Sequence, residues 1–300
     1  MDRKKSILKF IEKNQRGIEI GPWFSPLAAK AEGFNCLVLD VFDKKTLIEN
    51  AVSDSAIPRE KISHIEEVDF LGTSTEIETL VGASDQLGAF DYIVSSHNFE
   101  HLPNPLKFLQ GCGRALKAGG ILSMAIPDKR VCFDIFRPAS TLGQWIEAYF
   151  EKRDKPSLAQ IFEHHASFAE FNRRAPFASE ASKSLKGLYA QWLSSAEDAS
   201  PRKYQDAHCW VFTPASFELM IRDAEFLGIS PFSVVSISKS KGNEFFVHLR
   251  NEAKNLNHED DASAHFSQRQ RVLSKMAQEA PYILSWSRRI GNMLRTKGVN

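Results

Sequence analysis

The chain has 300 residues, 43% of them hydrophobic and 25% charged, enough apolar material to bury a full core in an ordinary globular composition. A formal net charge of +1 provides no global field to draw in nucleic acid or an anionic bilayer, so composition argues against a nucleic-acid partner. Cys36, Cys112, Cys132 and Cys209 are scattered without C-x-x-C spacing, which fits a reduced cytoplasmic protein and not a secreted disulfide scaffold.

Along the chain, the basic stretch MDRKK is followed by no apolar run long enough for a signal peptide, and no later segment reaches the roughly 20 apolar residues of a membrane span. From Gly17 to Leu249 short apolar runs alternate with helix-like stretches, the pattern of a doubly wound α/β fold whose mostly parallel sheet is covered on both faces. Strands are predicted at GIEI (17–20), CLVL (36–39), HIEEV (64–68), FDYIVSS (90–96) and ILSMAIP (121–127). A helix is predicted from Pro105 to Leu116, with Leu106, Leu109, Gly113 and Leu116 on one face and Gly119-Gly120 stopping it. After Pro127 the alternation lapses, and residues about 134–207 read as an inserted helical cap carrying WIEAYF, LAQIFEHHASF and LKGLYAQWL.

Strand pattern returns at SVVSIS and NEFFVHLR around a turn at Lys241-Gly242, so the sheet is expected to end in a hairpin with one antiparallel strand. Residues 1–250 thus read as one domain, followed by a separate segment, 251–300. Within that segment the polar EAKNLNHEDDASAHFSQRQR lacks apolar periodicity and reads as a flexible linker. In the tail, Tyr282, Ile283, Leu284, Trp286, Ile290, Met293 and Leu294 are interleaved with Arg288, Arg289, Arg295 and Lys297. Such a basic amphipathic segment suits peripheral contact with an anionic membrane surface, or else a helix that packs on its own domain or on a second subunit.

The residues that carry chemistry gather at the ends of the strands. The first strand runs into Glu19-Ile20-Gly21-Pro22, and a glycine turn at that point lets a nucleotide-like ligand approach the backbone. Roughly twenty residues on, the second strand ends in Asp40, where a carboxylate can accept hydrogen bonds from both hydroxyls of a ribose. The turn lacks G-x-G-x-x-G, and Pro22, Trp23 and Phe24 stand where a pyrophosphate would have to meet a helix N-terminus. A cofactor without phosphates is therefore favoured, and a nucleotide-dependent oxidoreductase disfavoured.

Asp69, followed by Phe70 and Leu71, suits an exocyclic adenine amine by type, while the plainer reading is a solvated loop aspartate. The fourth strand delivers Ser95, Ser96, His97, Asn98, Glu100 and His101 to the same edge, and imidazole is the natural proton acceptor near neutral pH. A metal held by His97, Glu100 and His101 is not expected, because HNFEH lacks the H-E-x-x-H order. Lys129, Arg130 and Arg137 would grip an anionic acceptor or merely solvate the rim. His208 precedes a helix start at Thr213-Pro214, from which it would reach the pocket from the far side of the cap.

Taken in order, EIGPWFSPL, Asp40, VDF, FDYIVSSHNFEHLPNP, LKAGGILSMAIPDKR and CWVFTPASF resemble the class I S-adenosylmethionine-dependent methyltransferases, closest to the branch associated with bacterial surface-polysaccharide synthesis. The likeness spans Arg16 to about Arg250 and rests on the series E-H-x-P-x-P, helix, L-K-x-G-G, strand. It implies a seven-stranded Rossmann-like sheet with the last strand antiparallel, and S-adenosylmethionine as cofactor. Glu19 and Gly21 would lie at the methionine end, Asp40 on the ribose and Asp69 near adenine, with Ser96 and His97 lining the transfer site. The common acid-x-G-x-G-x-G turn is reduced here to E-I-G-P-W-F-S. The branch implies O-methylation of a sugar or glycan, with His97, His101 or His208 as base and Glu100 orienting it. The alternatives are a small-molecule methyltransferase with an N or S acceptor, and a non-catalytic scaffold module of the same fold.

Overall fold

A computed structural model describes residues 2–170, 180–181, 184–197, 203–252 and 262–279. The sheet is built from β1 (Arg16–Ile20), β2 (Asn35–Asp40), β3 (Phe70–Leu71), β4 (Phe90–Ser96), β5 (Leu116–Pro127), β8 (Phe232–Ile237) and β9 (Glu244–Asn251), in the order β3-β2-β1-β4-β5-β9-β8. β1 to β5 are parallel, whereas β9 runs antiparallel to both β5 and β8. The expected seven-stranded, mostly parallel sheet closed by a hairpin is therefore present, with Gly242 at positive φ in the connecting turn. A separate two-stranded ribbon pairs β6 (Ala169–Glu170) with β7 (Glu180–Ala181).

Strand order reverses between β1 and β4, which opens a crevice at the carboxyl ends of β1, β2 and β4. Helices α1 (Arg3–Ile7), α2 (Lys44–Ser53), α3 (Ile77–Gly82), α4 (Pro105–Ala115) and α8 (Pro214–Phe226) flank the sheet. α4 begins at Asn104, whose side chain accepts from the Lys107 N–H, with Pro105 in the first turn, and it buries Leu106, Phe108, Leu109 and Cys112. The main core joins these to Ile18, Ile93, Met124, Phe217 and Phe245.

α5 (Leu142–Phe150) also belongs to that core, because Trp145 and Ala148 are fully buried and Trp145 packs against Phe99, Phe212 and Phe217. α6 (Leu158–Ala166) starts with a Ser157/Gln160 capping box and packs against α7 (Leu185–Glu197), where the Trp192 indole donates to the Leu158 carbonyl. Among the described residues no helix is long and apolar enough to cross a membrane.

Three sequence expectations are corrected. HIEEV is not a strand: Ile65 turns into a small cluster with Leu47, Ala51 and Ile57, and pairing with β2 begins only at Asp69, whose N–H donates to the Val38 carbonyl. The helix predicted from Pro105 to Leu116 is present as Pro105–Ala115, but Gly119-Gly120 does not stop it: Leu116 already has extended backbone and starts β5, so LKAGG lies within an irregular stretch of strand. Nor is all of the polar segment after Asn251 a linker. Residues of α9 (Ala262–Glu279) form a helix docked on α8, through the His265–Phe226 stack, buried Val272 and pairs of Arg269 with Asp223 and Lys275 with Glu218. Those contacts are mostly polar, so hydrophobic periodicity could not reveal them. The basic amphipathic tail from Tyr282 to Lys297 lies outside the described residues.

Candidate active site

On one side of the crevice, Gly21 takes φ +60°, and a Cβ built there would meet nothing within 4 Å. The turn is therefore open where a ligand must come close. Trp23 and Phe24 do not crowd it: both pack against the cluster beneath α2, and the Trp23 indole donates to the Leu47 carbonyl at 3.2 Å. Glu19 is buried, and its two oxygens accept from the Leu27 N–H (2.8 Å) and the Ala28 N–H (2.7 Å). Burial pushes its carboxyl up to about 7, against the pull of those two donors. Glu19 thus shapes the loop after β1 from beneath.

Asp40 ends β2 and is largely buried, with Oδ1 oriented by the Phe42 N–H at 3.1 Å; burial raises its carboxyl above the usual range. Beside it Val41, Phe42 and Leu71 are about half exposed at the ends of β2 and β3. Exposed apolar groups next to an oriented acid fit a nucleoside whose base needs flat, apolar walls and whose ribose needs an acceptor. Asp69 is not part of this surface. Its carboxylate accepts from the Val38 N–H (2.8 Å) and pairs with Lys30 Nζ (2.6 Å), because it precedes β3 instead of ending it. Of the two apolar residues read from the sequence as flanking the ring, Leu71 is exposed here and Phe70 is buried in the core, while Phe42 was missed because it looks like an ordinary residue after a strand.

Across the crevice, β4 leads into a 3₁₀ turn, Phe99–His101, that carries Glu100 and His101. The segment 208–210 is stitched directly to this turn. The Trp210 N–H donates to the Glu100 carbonyl (3.1 Å), the Cys209 thiol to the His101 carbonyl (3.4 Å) and the Trp210 indole to the Leu102 carbonyl (2.5 Å). His101 and His208 are thereby held edge to face with ring centroids 4.7 Å apart. Each has an aspartate on Nδ1: Asp206 on His101 at 2.9 Å and Asp134 on His208 at 2.6 Å.

Asp206 is held down to about 2, chiefly by its hydrogen bond to His101. Asp134 is buried, which alone would raise it, but His208 and the Arg137 guanidinium (3.0 Å) outweigh burial and keep it ionised. His101 is shifted upward: burial opposes its charge, yet Asp206 and Glu100 prevail. From the far side α6 contributes His164, whose Nδ1 accepts from the His208 N–H (3.3 Å), while Phe133 tilts against the His208 ring.

The sequence expectation for His97 as a proton acceptor does not survive this geometry. His97 sits at φ +50° with Nε2 2.9 Å from Glu244 and Nδ1 3.4 Å from Glu100. Burial alone would lower its pKa, but the two carboxylates push it up to about 9, so at neutral pH both nitrogens carry protons. Ser96 Oγ accepts from Arg3 Nη2 (2.6 Å), and the same guanidinium grips Glu244 with two hydrogen bonds. Arg3, Glu244, Asp134 and Asp206 had no signal in sequence, because each meets its partner only through the fold.

The basic residues at the end of β5 are internal ties. Arg130 binds Asp128, Lys129 donates to the Ile135 carbonyl, and buried Arg137 joins Asp134 to the His208 carbonyl.

Residues 2–230 match the family model for a methyltransferase domain. No curated protein matches the sequence. Among solved structures, a SAM-dependent methyltransferase from Aquifex aeolicus is 14% identical, with 83% of this chain and 89% of that one covered at a TM-score of 0.42. An S-adenosylmethionine-dependent methyltransferase from Mesorhizobium loti is 10% identical, with 82% and 97% covered and a TM-score of 0.43. A Rhodobacter sphaeroides protein named for the Zn-dependent alcohol dehydrogenases is 12% identical, with 84% and 91% covered and a TM-score of 0.46. These structural likenesses carry no assignment, which rests on the family match.

Proposed function

Since the chain belongs to the methyltransferase-domain family and is an S-adenosylmethionine-dependent methyltransferase, we propose that it methylates a hydroxyl group of a sugar or glycan at the cluster of Glu100, His101 and His208. The observation that carries the reading is the pair of aspartate-held imidazoles converging beside a buried carboxylate, at the edge where β1 and β2 would hold the cofactor. Asp40 would accept from the ribose hydroxyls, Phe42 and Leu71 would flank the base, and the open Gly21 turn would admit the methionine end. Bound S-adenosylmethionine supplies an activated methyl group on a sulfonium, a leaving group that needs no acid from the protein.

The chain's own work is alignment, exclusion of water and removal of a proton. Hydroxyls need such help, whereas amines and thiols need less, and the two His–Asp pairs are suited to give it. With Nδ1–H donated to Asp134, His208 would offer Nε2 to the acceptor, and Asp134 would balance the charge that a transferred proton creates, while His101, flanked by Asp206 and Glu100, would help to orient the hydroxyl. His97, doubly bound by carboxylates, would position Glu100 and Glu244 and take no proton.

The test is transfer of a radiolabelled methyl group from S-adenosylmethionine to a panel of sugars, nucleotide sugars and oligosaccharides. Label should appear on a hydroxyl, and His208→Ala should lose roughly 10²–10⁴-fold in turnover while still binding the cofactor. Label found only on amines or thiols would overturn the acceptor assignment. Cofactor binding without transfer to any acceptor, matched by unchanged surface glycans in cells lacking the chain, would point to a scaffold module instead.

A further inference from the structure

We propose that Glu100, His101 and His208 together bind a divalent transition-metal cation, and that this cation holds the acceptor. One ligand atom from each of the three residues lies within 4.8 Å of the other two. Adjacent ligands around tetrahedral zinc, with bonds near 2.0–2.1 Å, are about 3.3 Å apart, so a modest closure of side chains completes the site. His101, the most exposed of the three, has room for that movement.

The second observation is Glu100 itself. Its side chain is fully buried and neither carboxylate oxygen accepts a hydrogen bond, while His97 Nδ1 and His101 Nε2 form looser ion pairs with Oε1 at 3.4 and 3.8 Å. A buried carboxylate with no well-formed hydrogen bond, whose one close charge partner is the His97 ring at 3.4 Å, keeps lone pairs free to ligate a cation. The third observation is the outer layer. Metal-bound histidines regularly donate the other ring N–H to a carboxylate, which fixes the tautomer and aims the ligand nitrogen. Both histidines here do so, through Asp206 and Asp134, and Arg137 locks Asp134 in turn.

In the sequence the only histidine beside Glu100 and His101 is His97. The second imidazole comes instead from His208, brought in by the hydrogen bonds between segment 208–210 and the turn. Two imidazoles and one carboxylate suit Zn²⁺, Mn²⁺ or Fe²⁺ and leave coordination positions open.

Those positions define an acceptor class, a refinement that rests on the hydroxyl reading above: a sugar or polyol with two adjacent hydroxyls that chelate the cation. The cation lowers the pKa of the bound hydroxyl, as it does for bound water. The hydroxyl releases its proton to water and its oxygen pair forms the new O–CH₃ bond. The S–CH₃ bond breaks with its electrons staying on sulfur, so the sulfonium becomes a neutral thioether. In this state the imidazoles act on the proton through the cation and not by taking it.

The experiment uses the full chain, stripped with chelator and titrated calorimetrically with Zn²⁺, Mn²⁺ and Mg²⁺, with a Co²⁺ absorption spectrum as signature. One equivalent of Zn²⁺ or Mn²⁺ should bind, more tightly than Mg²⁺. Glu100→Gln and His208→Ala should abolish the Co²⁺ spectrum, and Asp206→Asn, which touches only the outer layer, should weaken binding roughly 10–100-fold. Should His208→Ala fail to fold, Glu100→Gln and Asp206→Asn still decide the matter. No binding by the wild-type chain, or equal binding by the folded variants, overturns the proposal. Undiminished hydroxyl methylation in chelator would sink the metal role while sparing the hydroxyl reading. A bound cation with no hydroxyl methylated by the loaded enzyme would do the reverse.

Discussion

The substitution Asp40→Asn isolates the cofactor half of the site. The amide side chain would keep an oxygen for the Phe42 N–H, now at 3.1 Å from Oδ1, so the end of β2 should hold its shape. What is lost is charge. Hydrogen bonds to a charged acceptor contribute about 1.5–3 kcal/mol against about 0.5–1.5 kcal/mol for neutral ones, so two ribose hydroxyls lose about 2 kcal/mol together. At 1.4 kcal/mol per decade that is roughly a 30-fold rise in Kd for S-adenosylmethionine. Burial of Asp40 already makes its charge costly, and relief of that cost trims the loss, so roughly 10-fold is the lower expectation. Calorimetry with S-adenosylmethionine and S-adenosylhomocysteine, alongside melting curves, measures both affinity and fold. Unchanged affinity in a variant that melts like wild type would refute the placement of the ribose on Asp40.

Two further predictions concern stability. Trp145→Ala should cost about 3–5 kcal/mol in denaturant unfolding, since the indole is fully buried among Phe99, Phe212 and Phe217. Trp145→Phe should cost far less, because the indole N–H has no hydrogen-bond partner to lose; equal losses would show that α5 is not packed in the main core. Glu19 sets a pH dependence. Its carboxyl lies at about 7 in the fold and near 4.5 when unfolded, so between these values the native state holds a proton that the unfolded chain has released. Its contribution is full below about 4.5 and is lost as pH rises through about 7, a change on the order of 3 kcal/mol. Glu19→Gln should be less stable at low pH but flat across that window, and a slope identical to wild type would contradict the assignment.

The sheet was legible because its signals are local. The apolar runs of β1, β2, β4 and β5 and the Lys241-Gly242 turn need no distant partner to be read. Asp40 was legible for the same reason, as an acid ending a buried strand. Asp69 had the right residue type but the wrong register, because the short β3 begins after it and Lys30 and Val38 claim its carboxylate. The histidines were legible as a group and not as individuals. Their roles depend on Asp134, Asp206, Glu244 and Arg3, side chains remote in sequence that sort His97 into an ion pair and leave His101 and His208 facing Glu100. The α9 helix was missed because polar pairs with α8, with Val272 as its one buried apolar residue, hold it in place.

In the proposed complex the cofactor lies across the ends of β1 and β2 with its reacting centre turned toward Glu100, His101 and His208. A structure of the full chain with S-adenosylhomocysteine tests it most directly. The ribose is predicted on Asp40, the base between Phe42 and Leu71, the amino acid end beside Gly21, and the sulfur facing the two histidines. A ligand bound elsewhere, or a sulfur turned away from the two histidines, would rule out this placement of the cofactor.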